Sequence, residues 1–400
     1  MLSFLSTARK SLATIVRAGI TPARSLLVIS GMALAACQPG GGGNATGPAI
    51  GNGTVQVALL VPGGSGQASD ELLARSLQNA AQLAIADLGG VKIDLRVYNT
   101  AGQPANAQAM AIKAIDEGAK VILGPVFAQE ANAAGVAAAA RGVNVLAFSN
   151  NPDIAGGNVF ILGPTFQNTA ARLAGYSVSK GKRRIMIVHD QNAAGELGRA
   201  AIQQGVARAG GSVVAVGSYE FSQNGVVSAA PTIAASARTN KADALFLTAD
   251  TAGALPLISQ MLNDNGMGPG TTQFIGLTRW DIPAATLSLP GVQGAWFAMP
   301  DPALYQQFQA RYQSSFGEAP HPIAGLAYDG IAAVGALAKQ GNASISSAAL
   351  TQGAGFAGVS GIFRLRADGQ NERGLAIAQI QGGQVVLIDP APRSFGGFGF

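Results

Sequence analysis

The chain has 400 residues, 26 basic and 21 acidic, with 48% hydrophobic and 12% charged side chains. This balance excludes a disordered chain, supplies ample material for a buried core, and at this length favours two domains. Four of the five net positive charges lie in residues 1–37, which leaves the remainder near +1, so the basic balance gives no support for nucleic-acid binding.

Residues 1–37 are set aside as a leader. Arg9, Lys10, Arg17 and Arg24 have no acidic neighbour, and Ser25 to Ala36 is an apolar run, shorter than the roughly 20 residues that span a bilayer. It ends Leu34-Ala35-Ala36-Cys37, which resembles the lipobox of bacterial lipoproteins, in which the cysteine becomes the lipid-bearing amino terminus. Cys37 is the only cysteine, so no internal disulfide is possible. Residues 38–53, rich in glycine, read as a flexible tether. Gln38 after the cysteine resembles an outer-membrane sorting signal. The basic cluster 180–184 precedes a strand and reads as a solvated turn.

The body opens with a strand at Thr54 to Val61, a glycine-rich turn at 62–66, and a helix at Leu72 to Leu88 with Asp70 as its cap. A strand at Val91 to Tyr98, a turn at Asn99 to Gln103 and a helix at Ala105 to Glu117 follow. Residues 121–151 then form the unit around which the chain is organised. The apolar runs Val121 to Leu123 and Val143 to Phe148 flank about a dozen alanine-rich residues, a parallel strand–helix–strand unit. In an open parallel sheet, ligands meet the carboxyl ends of the strands. Here those ends are Val126-Phe127-Ala128-Gln129 and Ser149-Asn150-Asn151, and the first opens a helix whose free N–H groups suit a carboxylate.

A strand at Val159 to Leu162 leads to a crossing at 163–165, and the alternation begins again. Helices fall at Thr169 to Ser179, Leu197 to Ala209, Ile233 to Asn240 and Ala254 to Asn265. Strands fall at Arg184 to His189, Val213 to Phe221, Ala244 to Leu247 and Phe274 to Leu277. The tail adds a strand at Ala295 to Ala298, helices at Pro302 to Phe316, Ile323 to Lys339 and Ser346 to Gln352, and two strands at Gly361 to Arg366 and Leu375 to Ile388, each broken by a turn.

This order resembles the type I periplasmic binding proteins of the leucine/isoleucine/valine-binding group. The resemblance covers roughly 54–389 and is carried by VQVALLVPGGSG, QNAAQLAIADLGG, VKIDLRVYNTAGQPANA, VILGPVFAQEANAAG, VNVLAFSNNP, RRIMIVHDQNAAGELG and VARAGGSVVAVGSYEF. It implies an α/β fold of two Rossmann-like lobes with parallel sheets around a cleft that closes by hinge motion. Lobe one is 54–163 plus 295–350, lobe two is 164–294 plus 355–389, and 390–400 is a tail.

The resemblance also implies a site. The ligand carboxylate meets lobe-one turns that map to Ala128 with Gln129 and to Ser149 with Asn150. In lobe two the acidic position falls at Thr278, beside Arg279, and the aromatic position falls near Ala194. The usual ammonium partner is absent from its place, and Asp250 is the candidate to substitute for it. A solute binder of this type hands an amino-acid-like ligand to an ABC permease. GPVFAQE and VLAFSNN on a tethered lipoprotein also resemble the penicillin-binding protein activators, whose partners are peptidoglycan synthases.

No catalytic signature appears: G-x-S-x-G and G-x-x-x-x-G-K-[ST] are absent, and Gly353 to Gly358 precedes a strand, so its G-x-G-x-x-G spacing reads as a hinge or turn. Two histidines, His189 and His321, with no thiol beyond Cys37, argue against a zinc site; no cofactor is called for. Asp190 and Asp250 each read as a helix cap or an amine contact. Arg279-Trp280 offers a guanidinium fork and a stacking ring for a carboxylated ligand. His189 reads as a packed or rim residue.

Overall fold

The first five strands are β1 (Thr54–Val61), β2 (Lys92–Asn99), β3 (Val121–Leu123), β4 (Asn144–Ala147) and β5 (Val159–Ile161), separated by α1 (Ala68–Asp87), α2 (Pro104–Asp116) and α3 (Ala128–Ala139). Of these strands, β1, β3, β4 and β5 are apolar runs because helices cover them on both faces, and β2 is an edge strand of alternating character. The five pair in the order β2-β1-β3-β4-β5, all parallel, with Thr54 opposite Lys92 and Val57 opposite Val121. The computed structural model describes residues 53–396 except 269, 342 and 343. The leader, Cys37 and almost all of the tether lie outside these residues.

The second half repeats the architecture. It runs through α4 (Phe166–Ser179), β6 (Arg184–Asp190), α5 (Ala193–Arg208), β7 (Ser212–Tyr219), α6 (Gln223–Thr239), β8 (Ala244–Leu247), α7 (Leu255–Asp264), β9 (Gln273–Gly276) and β10 (Trp296–Met299). The chain then forms α8 (Pro302–Phe316), α9 (Gly325–Lys339), α10 (Ser347–Leu350), β11 (Phe356–Gly358), β12 (Gly361–Leu365) and β13 (Asn371–Arg373). It ends in β14 (Ala376–Gln381) and β15 (Gln384–Asp389). The second sheet has seven strands in the order β15-β14-β10-β9-β8-β6-β7; β14 and β15 are antiparallel and the rest parallel. The protein is thus an α/β fold of two parallel-sheet layers. No described helix is long and apolar enough to cross a membrane.

Each sheet is covered twice. One face of the first meets α2 and α3 through alanines such as Ala111, Ala131 and Ala134. Its other face meets α1, α8 and α9 through Leu77, Phe308, Tyr312 and Leu337, and Phe356, Phe363 and Leu365 of β11–β13 complete that core. The second sheet lies between α4 and α5 on one side and α6 and α7 on the other.

These contacts redraw two boundaries. The sequence places residues from 295 in lobe one, but β10 pairs with β9 and β14 in the second sheet. It places 355–389 in lobe two, but β11–β13 pack on the first core. Residues 353–358 are also more than a turn, because β11 pairs with β12.

Local differences have local causes. Helix α1 begins at Ala68 with Gln67 as its cap, and Asp70 sits in the first turn, where its charge complements the helix dipole. Helix α6 starts well before Ile233 and passes through Pro231, which lies on the exposed face, so the carbonyl it leaves unpaired meets water. At the passages between sheets, Asn371 Nδ2 donates to the Ile161 and Gly163 carbonyls at 2.8 and 2.9 Å, and Asn168 Nδ2 donates to the Asn371 carbonyl at 2.7 Å.

Candidate functional site

The turns at the carboxyl ends of the parallel strands carry the polar residues. In the first sheet, Gly124 ends β3 with φ +81°, and an added Cβ would meet the Leu60 carbonyl oxygen at 2.3 Å, so only glycine fits. The Gly124-Pro125 bond is cis. The turn delivers Phe127, 42% exposed, as the residue preceding α3, followed by Ala128 and Gln129 in the first turn. After β4, Ser149 is buried and its Oγ accepts from the Asn151 N–H at 3.1 Å, whereas Asn150 is exposed.

Beside the start of α3, read from the sequence as an anion site, one of the chain's own carboxylates is buried. Glu130, in the first turn, is 1% exposed. The Thr100 hydroxyl and the Phe127 N–H lie close by, yet neither reaches hydrogen-bonding geometry with its oxygens. Burial pushes the Glu130 carboxyl above the ordinary range, and the charge of Asp70 adds to the rise. This residue escaped the sequence reading; the one signal was a glutamate at the third helical position, where such side chains turn back toward the cap.

In the second sheet, β6 ends at His189 and Asp190, both buried. Asp190 does not cap α5; Asn192 does, accepting from the Gly195 N–H at 2.8 Å. The Asp190 carboxylate instead accepts from the Thr248 hydroxyl at 2.5 Å, from Asn192 Nδ2 at 2.9 Å and from the Tyr219 hydroxyl at 3.4 Å. It thereby ties the ends of β6, β7 and β8 together. Burial, with the Asp190 charge behind it, pushes the Tyr219 phenol far up. His189 Nδ1 lies 3.1 Å from the Asp190 carbonyl oxygen and 3.5 Å from Glu196 Oε1.

Asp250, beyond β8, is exposed and caps nothing with its side chain: its carbonyl accepts from the Gly253 and Leu255 N–H groups. After β9, Thr278 Oγ1 is buried without a partner. The Arg279 guanidinium forks onto Asp281, Nε to Oδ1 at 2.6 Å, and stands close enough to Tyr305 of α8 to act on its phenol. The β9 turn therefore faces a helix that packs on the first core.

Trp280 corrects the sequence reading. It is 0% exposed, and its indole N–H donates to the Ala249 carbonyl at 3.2 Å, so it cannot stack on a ligand. The cause is Gly276, where an added Cβ would lie 2.4 Å from the indole ring. Among the described residues, no cluster of histidine, cysteine or acidic side chains could hold a metal.

Two parallel sheets with polar turns at their strand ends, joined by three passages of the chain, make the frame of a two-sided binder. The sequence model of the family described as periplasmic binding protein matches residues 54–384. The chain belongs to the periplasmic binding protein family. Comparison with curated proteins gives no match. Solved structures share the fold of this periplasmic binding protein at low identity. A Rhodospirillum rubrum protein described as a branched-chain amino acid ABC transporter is 18% identical, with a TM-score of 0.69 over 84% of this chain and 99% of its own. A substrate-binding protein of a Desulfitobacterium hafniense ABC transporter, in complex with Leu, is 18% identical with a TM-score of 0.60, covering 84% and 100%. A solute-binding protein from Rhodopseudomonas palustris BisB5, in complex with 3,4-dihydroxybenzoic acid, is 20% identical with a TM-score of 0.53, covering 85% and 98%.

Proposed function

We propose that this periplasmic binding protein is the solute receptor of an ABC import system, tethered to the membrane through lipid on Cys37, and that it holds an amino-acid-like ligand between its two sheets without chemistry. The observation that carries the reading is the match over residues 54–384 together with the polar strand-end turns of both sheets. Phe127, Ala128, Gln129, Ser149 and Asn150 line one side; Asp250, Thr278 and Arg279 line the other. Structural neighbours were solved in complex with leucine in one case and with a hydroxylated benzoic acid in another, which supports a small organic solute. A thermal-shift panel of amino acids and aromatic acids tests it: stabilisation by at least one is expected, and no response counts against it. Radiolabelled palmitate tests the anchor, with incorporation expected in the native chain and lost in Cys37→Ser.

A second reading, regulation of peptidoglycan synthases by protein contact, is favoured by one feature. At the β9 turn no carboxylate stands free for an ammonium group, because Asp281 is held by Arg279. Pull-down and activity assays with those synthases decide it; absence of binding and of activation removes it.

A further inference from the structure

The amino ends of the strands in the second sheet carry a one-sided charge. The turn between α4 and β6 holds Lys180, Lys182 and Arg183, and Arg184 opens β6. Arg208 ends α5, and Arg238 and Lys241 lie where α6 gives way to β8. Because β7, β6 and β8 are neighbours in the sheet, these segments meet. Arg184 donates through Nε to the Lys241 carbonyl at 3.0 Å and through Nη2 to the Asn240 carbonyl at 2.7 Å. The Ser212 N–H, opening β7, donates to the Arg183 carbonyl at 2.8 Å. Lys182 is half-buried and the other six cations are exposed.

The fold does not neutralise this charge. None of the seven cations is ion-paired with a described residue. The acids in the turns at this end are Asp243 and Asp264, and Asp243 Oδ2 accepts from the Arg183 and Arg184 N–H groups at 2.9 and 2.8 Å. Arg208 and Arg238 stand in the last turns of their helices and Lys180 directly follows α4, where a cation complements the helix dipole. Lys182, Arg183, Arg184 and Lys241 lie beyond the helices, and that reason does not cover them. Seven cations against two acids, in a body near +1, leave the rest of the molecule net acidic.

We propose that this end of the second sheet seats on the anionic surface of a lipid bilayer. Clusters of roughly four to eight basic side chains on one surface are drawn to anionic lipids. Three observations select this partner. No large apolar side chain is exposed in these turns, so they lack the dry centre of a protein–protein interface. No aromatic residue occurs in 180–184, 208–211 or 238–243, so nothing there stacks on a nucleobase. Residues 38–53 separate Cys37 from Thr54, a reach of at most about 55 Å, so lipid on Cys37 keeps the body beside one leaflet; in this the inference rests on the anchor proposed above. The polar turns at the carboxyl ends of β6, β8 and β9 lie at the other end of the sheet, and seating leaves them open to a solute.

Vesicle flotation of the full chain carrying Cys37→Ser, which bears no lipid of its own, tests it with phosphatidylcholine vesicles made with and without phosphatidylglycerol. Binding is expected to rise with phosphatidylglycerol and to fall at high salt. Lys182→Gln, Arg183→Gln, Arg208→Gln and Lys241→Gln together weaken binding to the mixed vesicles by at least about tenfold. Lys92→Gln, Lys120→Gln, Lys339→Gln and Arg393→Gln together, which remove the same charge elsewhere, leave it unchanged. These eight side chains make no hydrogen bond with a described residue, and equal melting of the variants verifies their folding. Equal weakening by the two sets, or none by the first, overturns the proposal. So does a first set that loses polyglutamate binding and keeps vesicle binding, which assigns the surface to an acidic protein. Palmitate incorporation decides the anchor separately: incorporation with equal vesicle binding by the two sets removes this surface alone, and binding that only the first set loses, without incorporation, removes the anchor alone.

Discussion

Arg373 Nη1 on β13 lies 3.0 Å from Asp329 Oδ2 on α9, and both side chains are buried. The same guanidinium donates through Nε to the Leu162 carbonyl at 3.0 Å, and Asp329 Oδ1 accepts from the Val359 N–H at 2.9 Å. The pair thus fastens α9, the end of β5 and the β11–β12 turn at a passage between the sheets. Arg373→Met leaves a buried carboxylate without its partner, which costs about 3–5 kcal/mol. Removing both charges with Asp329→Leu and Arg373→Met together recovers most of that loss. Urea midpoints of the native chain and the variants measure both effects; a single variant as stable as the native chain would show that the pair does not stabilise the fold.

Glu130 gives the fold a pH dependence of defined sign. Burial raises its carboxyl in the folded state above its unfolded value, so between those two values the folded chain holds more protons than the unfolded chain. Its contribution to stability therefore falls as pH rises through that window and is least favourable at neutrality. Glu130→Gln is expected to be at least as stable as the native chain at pH 7 and to lose that advantage as pH falls toward the unfolded carboxylate value. Melting temperatures of the two proteins across pH 4–7 check this; a difference independent of pH contradicts it.

Gly276 and Trp280 form a tight seat, so Gly276→Ala drives a methyl into the indole. Overpacking of this kind costs about 1–3 kcal/mol. Trp280→Ala empties the same seat at about 3–5 kcal/mol. Loss of near-ultraviolet circular dichroism with retained helical signal is expected for the second and would separate a loosened core from an unfolded chain.

Releasing Arg279 from its partner should favour carboxylated solutes. Asp281→Asn removes the carboxylate that the guanidinium grips; under the proposed solute-receptor reading it is expected to tighten binding of a carboxylated probe such as L-leucine by about tenfold, the worth of one charge-assisted contact. Titration calorimetry measures it. An unchanged affinity would place the solute carboxylate away from the β9 turn.

What could be read before folding followed from local physics. β1, β3, β4, β6 and β8 are apolar runs because both faces are covered, and polar turns follow at their carboxyl ends. What escaped depends on partners distant in sequence. β11 and β13 have three residues each and take their place only through pairing with β12. Trp280 appears exposed and reactive beside Arg279 until Gly276 provides its seat. Phe221 and Asp250, 29 residues apart, become neighbours only because β7 and β8 flank β6.

The core over β1 and β3 is sealed by Phe308, Tyr312, Leu337 and Phe363, all made long after Leu59 and Leu123. A growing chain that has completed β5 therefore has only α1 on this face of its first sheet until its last quarter emerges. Contacts between such distant segments form slowly. A periplasmic protein's chain must stay threadable while it crosses a membrane, and this order of synthesis holds back closure of the first layer.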